Sequence, residues 1–209
     1  MDPNPQTRIF SDVFSLDEIN LLRRDQKNRA ITASRGNNHD RPLDYHLPTS
    51  IVRKIVKPKI DSLIGEDHEF STGCYKEVWD PYGTHADNLA FQSKYFTFNS
   101  EPNHYCGIMI PLVQDPEFRT VFFKTHTHDD LGVGKPLPEE YLSSQNDLNP
   151  SWFSHVEQPA RDQMKRLPLE QVYQWKLGDM IVWPRTQLHT STDFSKFGLC
   201  KRFIIVFLA

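Results

Sequence analysis

Leu177-Gly178-Asp179-Met180-Ile181-Val182-Trp183-Pro184, with His189 five residues on, is the stretch that decides how this chain is read. Gly-Asp is a turn signal, and the apolar run after it is short, rich in β-branched and aromatic residues, and closed by proline. Such a run forms a buried strand rather than a helix. The chain then emerges and presents an imidazole.

Working outward, the same period of short apolar or alternating runs recurs at residues 70–78, 91–98, 105–112, 120–125, 172–177, 180–183 and 202–208, each bounded by Pro, Gly, Asp or Asn. Before Gly65 the period is helical. Ser15-Leu16-Asp17-Glu18 is a capping-box signal opening a helix over about 15–28, and Thr49 starts a second apolar-periodic segment running to Ile64, with a kink or break expected at Pro58. Residues 35–47 read as a polar loop. Several short strands after two helices predict a mostly β domain, a jelly roll or barrel with helices on one outer face. Between 129 and 168 the strand pattern lapses; this reads as an insertion and a candidate lid. One domain over residues 1–209, with a helical part at 15–64, is the expected organisation.

Composition narrows the function classes. There are 24 Lys and Arg against 27 Asp and Glu, a net charge of −3, so no strong field favours nucleic acid or an anionic membrane. Cys74, Cys106 and Cys200 lie far apart without a C-x-x-C spacing and read as small reduced core residues. The first residues lack a basic region leading into an apolar one, and no run approaches membrane-spanning length. A cytoplasmic protein without nucleic-acid or membrane partners is the expectation.

The chemistry-bearing residues are His85-Ala86-Asp87 and His189. In extended chain, residues two apart share a face, so His85 and Asp87 can aim at one point. Two His and one carboxylate on one side of an ion leave the opposite positions open, as a ferrous centre that takes cosubstrate and dioxygen requires. Thirteen residues after His189, Arg202 opens the apolar run Phe203-Ile204-Ile205-Val206-Phe207-Leu208. A guanidinium there would be buried at a cost unless an anion meets it, and its donor fork matches a carboxylate. Lys201 competes for that role, since both faces of the run are apolar and alternation does not choose between them.

With these motifs in order, the chain resembles the Fe(II)/2-oxoglutarate dioxygenase superfamily, especially its prolyl-hydroxylase-like and phytanoyl-CoA-hydroxylase-like branches. Tyr105-Cys106-Gly107-Ile108-Met109-Ile110-Pro111-Leu112 resembles the strand that follows their H-x-D, and Gly178 through His189 resembles their "Gly-Asp, apolar strand, then His" signature. The resemblance implies a double-stranded β-helix, Fe(II) held by His85, Asp87 and His189, and 2-oxoglutarate gripped by Arg202 and by Tyr75, which lies ten residues before His85. It also implies dioxygen as a reactant, ascorbate as an auxiliary reductant, and hydroxylation of a small-molecule or peptidyl substrate. Three alternatives stand beside it. His126, His128 and His189 would suit a cupin-type metal site; the β-helix would serve as a non-catalytic binding module; and Tyr75 would be a core aromatic.

Overall fold

The computed structural model describes residues 6–34, 43–65, 70–79, 84–87, 106–127 and 166–208. The expected strand at 91–98, His128, and residues 129–165 of the expected insertion lie outside them.

Among the described residues, nine strands form two antiparallel sheets. The first contains β1 (Arg8–Phe10), β2 (Leu43–His46), β3 (Phe70–Val78), β4 (Cys106–Pro111), β7 (Met180–Pro184) and β9 (Lys201–Leu208), in the spatial order β1-β7-β4-β9-β3-β2. The second contains β5 (Arg119–His126), β6 (Leu169–Gln174) and β8 (Gln187–Ser191), in the order β6-β5-β8. This is the jelly-roll arrangement the sequence predicted, with the mostly β composition and few helices of a double-stranded β-helix.

Both faces of the six-stranded sheet are covered, which is why its strands read as continuous apolar runs rather than alternating ones. On the outer face, Ile108, Ile110, Met180, Val182, Ile204 and Val206 pack against Ile19 and Leu22 of α1 (Leu16–Ser34) and Val56 and Ile60 of the second helical segment. On the inner face, Met109, Ile181, Trp183 and Phe203 meet Phe118, Phe122, Tyr173 and Trp175 between the sheets. Each such side chain, fully buried, contributes about 1.5–3 kcal/mol.

The capping box forms as expected: the Glu18 amide donates to Ser15 Oγ at 3.2 Å and the Ser15 amide donates to Glu18 Oε2 at 2.8 Å. Of the kink or break expected at Pro58, no break in the helical run is seen, but its regularity is interrupted just before the proline. Helix α2 (Thr49–Ile51) runs through a π-helical turn, Val52–Val56, into α3 (Lys57–Ile64), where Pro58 sits in the first turn. In the first turn of a helix the missing N–H of Pro58 is tolerated, so the chain stays helical.

Two further differences concern strands. Within the expected loop at 35–47, Leu43–His46 pairs with β3 as β2, and near the start of the chain Arg8–Phe10 pairs with β7 as β1. Both are short edge strands, stabilised by pairing rather than by pattern. Among the described residues no helix is long and apolar enough to cross a membrane, and the three cysteines form no disulfide.

Candidate metal centre

Strand β8 carries His189 on its inner face, opposite Phe122 of β5. His85 lies beside it as an isolated antiparallel bridge: the His85 amide donates to the His189 carbonyl at 3.0 Å and the His189 amide donates to the His85 carbonyl at 2.9 Å. This double exchange places both rings on one face, with centroids 4.4 Å apart. Two residues on, the Asp87 amide donates to the Arg185 carbonyl at 2.8 Å, and the Arg185 guanidinium returns two bonds to the Asp87 carbonyl at 2.7 and 3.2 Å. The side chains of 85 and 87 do aim at one point, as expected, with backbone bonds to β8 and to the turn after β7 holding the segment, although Asp87 itself lies in a turn rather than in extended chain.

Ligand atoms of His85, Asp87 and His189 all lie within 4.8 Å of one another. Asp87 Oδ1 is 3.9 Å from His85 Nε2, and Asp87 Oδ2 is 3.6 Å from His189 Nε2. Those gaps are too long for hydrogen bonds. Donors that each bind one ion at about 2.0–2.2 Å stand roughly 3 to 4 Å apart, so the spacing suits three ligands to one metal.

The protonation of His189 fits the same role. Its Nδ1 lies 3.0 Å from the Gln187 carbonyl, which can only accept, so the proton sits on Nδ1 and Nε2 turns a lone pair toward Asp87. Burial, and next the adjacent His85 ring, push its pKa down to about 4, keeping the imidazole neutral. Phe122 and Trp183 wall the centre, with ring centroids 5.8 and 5.3 Å from that of His189.

Arg202 and Tyr75 do not join this group. Register sets Arg202 opposite Glu77 on the outer face, where Nε meets Glu77 Oε2 at 3.2 Å and the side chain is 48% exposed. Tyr75 packs in the outer core with Ile108, Ile110 and Ile204 beneath the helices. Burial, and next the nearby Asp25 carboxylate, raise its phenol pKa, and its hydroxyl makes no well-formed hydrogen bond among the described residues. Lys201 is the cation that turns inward. It is 2% exposed, and its Nζ donates to the Arg119 carbonyl at 3.1 Å and lies 4.6, 4.8 and 5.8 Å from the ring centroids of Trp175, Phe194 and Phe118. No carboxylate pairs with it among the described residues, and desolvation drives its pKa well below the usual lysine range.

Ser191, two residues beyond His189 and opposite Thr120, has a buried hydroxyl without a partner among the described residues. Sequence reading missed it, because a lone serine carries no spacing signal. His126 bonds Thr186 Oγ1 through Nδ1 at 3.0 Å, and the metal-competent group among the described residues does not include it.

The Gly178-Asp179 signature is structural. Gly178 has φ +88, and its carbon lies so close to the chain that a Cβ would stand 2.7 Å from the Phe14 carbonyl oxygen. Asp179 is buried and accepts from the Asp12 amide at 3.1 Å and from the Tyr173 hydroxyl at 3.1 Å. Together they pin the N-terminal segment to the turn that launches β7.

Neither a protein-family model nor a curated protein sequence matches the chain. Solved structures do match. The non-haem α-ketoglutarate-dependent epimerase SnoN from nogalamycin biosynthesis aligns over 99% of this chain and 78% of its own, with TM-score 0.60 and 13% identity. The fold is that of the Fe(II)/2-oxoglutarate oxygenases. The same oxygenase fold aligns with the carbocyclase SnoK of that biosynthesis, over 98% of this chain and 79% of that one (TM-score 0.60, 11% identity). It aligns too with HygX from Streptomyces hygroscopicus, solved with nickel and 2-oxoglutarate, over 99% and 83% (TM-score 0.57, 11% identity). Within this oxygenase fold the His-Asp-His group lies between the two sheets, and the reactions of these neighbours differ from one another.

Proposed function

We propose that this chain is a non-haem iron oxygenase that couples oxidative decarboxylation of 2-oxoglutarate to hydroxylation of an organic substrate. One observation carries the reading: His85, Asp87 and His189 bring ligand atoms within 4.8 Å of one another, and beside it stands a buried lysine, Lys201, with no carboxylate partner among the described residues. A ligand set of two imidazoles and one carboxylate suits a ferrous ion. Burial disfavours the charged form of Lys201, and an anion from outside the chain would restore it; a dicarboxylic acid is such an anion.

In this reading His85, Asp87 and His189 would hold Fe(II), which with 2-oxoglutarate and dioxygen supplies the oxidising chemistry. Lys201 would grip the carboxylate of 2-oxoglutarate remote from the metal, with the orphaned Ser191 hydroxyl as an added donor. This assigns to Lys201 the role the sequence gave Arg202. The Gln187 carbonyl keeps the His189 proton on Nδ1, and Phe122 and Trp183 keep bulk water from the centre. Hydroxylation is preferred as the outcome because it needs no group beyond a substrate C–H bond near the metal.

The test is oxygen uptake and succinate formation by the Fe(II)-reconstituted protein with 2-oxoglutarate, with and without a metabolite library, for wild type and His189→Ala. Succinate formed by wild type and lost in His189→Ala supports the proposal. Wild type that binds Fe(II) and 2-oxoglutarate yet forms no succinate under any condition points to the non-catalytic module instead.

A further inference from the structure

We propose that Trp183 is a positioning residue that fixes the carboxylate of Asp87, and that Gly107 is glycine because it must admit the indole that does so. The inference rests on the reading of His85, Asp87 and His189 as a metal centre.

The backbone at Asp87 is fully engaged: its amide donates to the Arg185 carbonyl and its carbonyl receives the Arg185 guanidinium. Rotation of the side chain is the freedom left. Trp183 removes it, since the indole Nε1–H donates to Asp87 Oδ2 at 3.0 Å in a buried contact. That bond orients the carboxylate plane and occupies a lone pair on Oδ2, which disfavours chelation of one ion by both oxygens. A one-oxygen aspartate leaves more coordination positions for ligands from outside the chain.

The same ring touches a second ligand, its centroid 5.3 Å from that of His189 at an interplanar angle of 60°. It can reach both because it lies against bare backbone. Gly107 of β4 faces Trp183 in register, and a Cβ there would fall 2.7 Å from the indole Cε2 and Cζ2 and 3.2 Å from Nε1. Any other residue at 107 would displace the ring and its N–H from Asp87. A glycine inside a strand marks such a close approach. Trp183, Arg185 and His189 all lie on the short stretch in which the chain leaves β7 of one sheet, turns, and enters β8 of the other, so one continuous segment supplies a metal ligand and orients another.

The role is separable from packing. A chain carrying 3-benzothienylalanine at 183 keeps the ring's shape and lacks the N–H; Trp183→Phe and Gly107→Ala approach the same contact from either side. Co(II) titration of the metal-free proteins by calorimetry gives affinity, and the visible spectrum of bound Co(II) reports coordination number. The expected result is affinity about 10- to 100-fold weaker than wild type in the benzothienyl chain. A changed Co(II) spectrum and an unchanged melting temperature of the metal-free protein accompany it. Wild-type affinity and spectrum in that chain overturn the assignment, whether or not the Phe and Ala variants fold. A wild-type chain with no affinity for Co(II) instead sinks the metal-centre reading, and this assignment with it.

Discussion

Replacing Lys201 by methionine separates two forces that act on one buried amine. Methionine matches the length of the lysine stem, carries no charge, and its thioether packs well against the aromatic rings of Phe118, Trp175 and Phe194. In the ligand-free protein the lysine carries a desolvation penalty that no carboxylate offsets among the described residues. Removing it should stabilise the fold by about 1–3 kcal/mol at neutral pH. The sign of the pH dependence follows from a folded-state pKa depressed below the unfolded one. Between those two values the unfolded chain binds the extra proton, so wild-type stability rises with pH, by up to about 1.4 kcal/mol per unit, and falls as pH drops toward the folded-state value. Lys201→Met should flatten that slope.

Binding should move the other way. Removing one member of a buried charged contact costs about 2–5 kcal/mol, or about 30- to 4,000-fold in the Kd for 2-oxoglutarate. Arg202→Met, which removes only an exposed cross-strand pair with Glu77, should leave that Kd unchanged. Urea unfolding across pH and calorimetric titration of 2-oxoglutarate into the Ni(II) form measure both quantities. Undiminished affinity in Lys201→Met, or a loss confined to Arg202→Met, refutes the placement of the cosubstrate.

Two further outcomes follow from features of the core. Gly178→Ala places a side chain at φ +88 with its Cβ 2.7 Å from the Phe14 carbonyl oxygen, and should lower stability by about 1–3 kcal/mol in urea melts. Tyr75→Phe deletes a buried hydroxyl that lies near Asp25 and makes no well-formed hydrogen bond among the described residues; stability should change by no more than about 1 kcal/mol, and 2-oxoglutarate affinity should not change, in the same two assays.

Much of the site was legible in the sequence because its signals are local. His85 and Asp87 share a face by alternation alone, and Gly178-Asp179 announces the turn that leads through β7 to His189. Arg202 shows where local reading stops. Strand β9 is covered by helices on one face and by the second sheet on the other, so its sequence carries no polar side to orient it. Only the register of Val78 with Lys201 and Glu77 with Arg202 decides which cation turns inward. Tyr75, for which the sequence left a core role open, packs in the outer core, and a strand buried on both faces hides in its sequence which face a residue takes. The role of Trp183 depends on Gly107, a residue more than seventy positions away, and a lone strand glycine was the one sequence clue to that contact.

Strand β9 sits between β4 and β3 in the middle of the large sheet. During synthesis it leaves the ribosome after every strand it joins, so β4 and β3 must wait with open edges that invite pairing with other chains. Closing so many sequence-distant contacts at once makes for slow folding. Chaperone assistance, low temperature or a slow translation rate should therefore raise the soluble yield of this protein, and β9 brings Lys201 to its pocket in the same late step that completes the sheet.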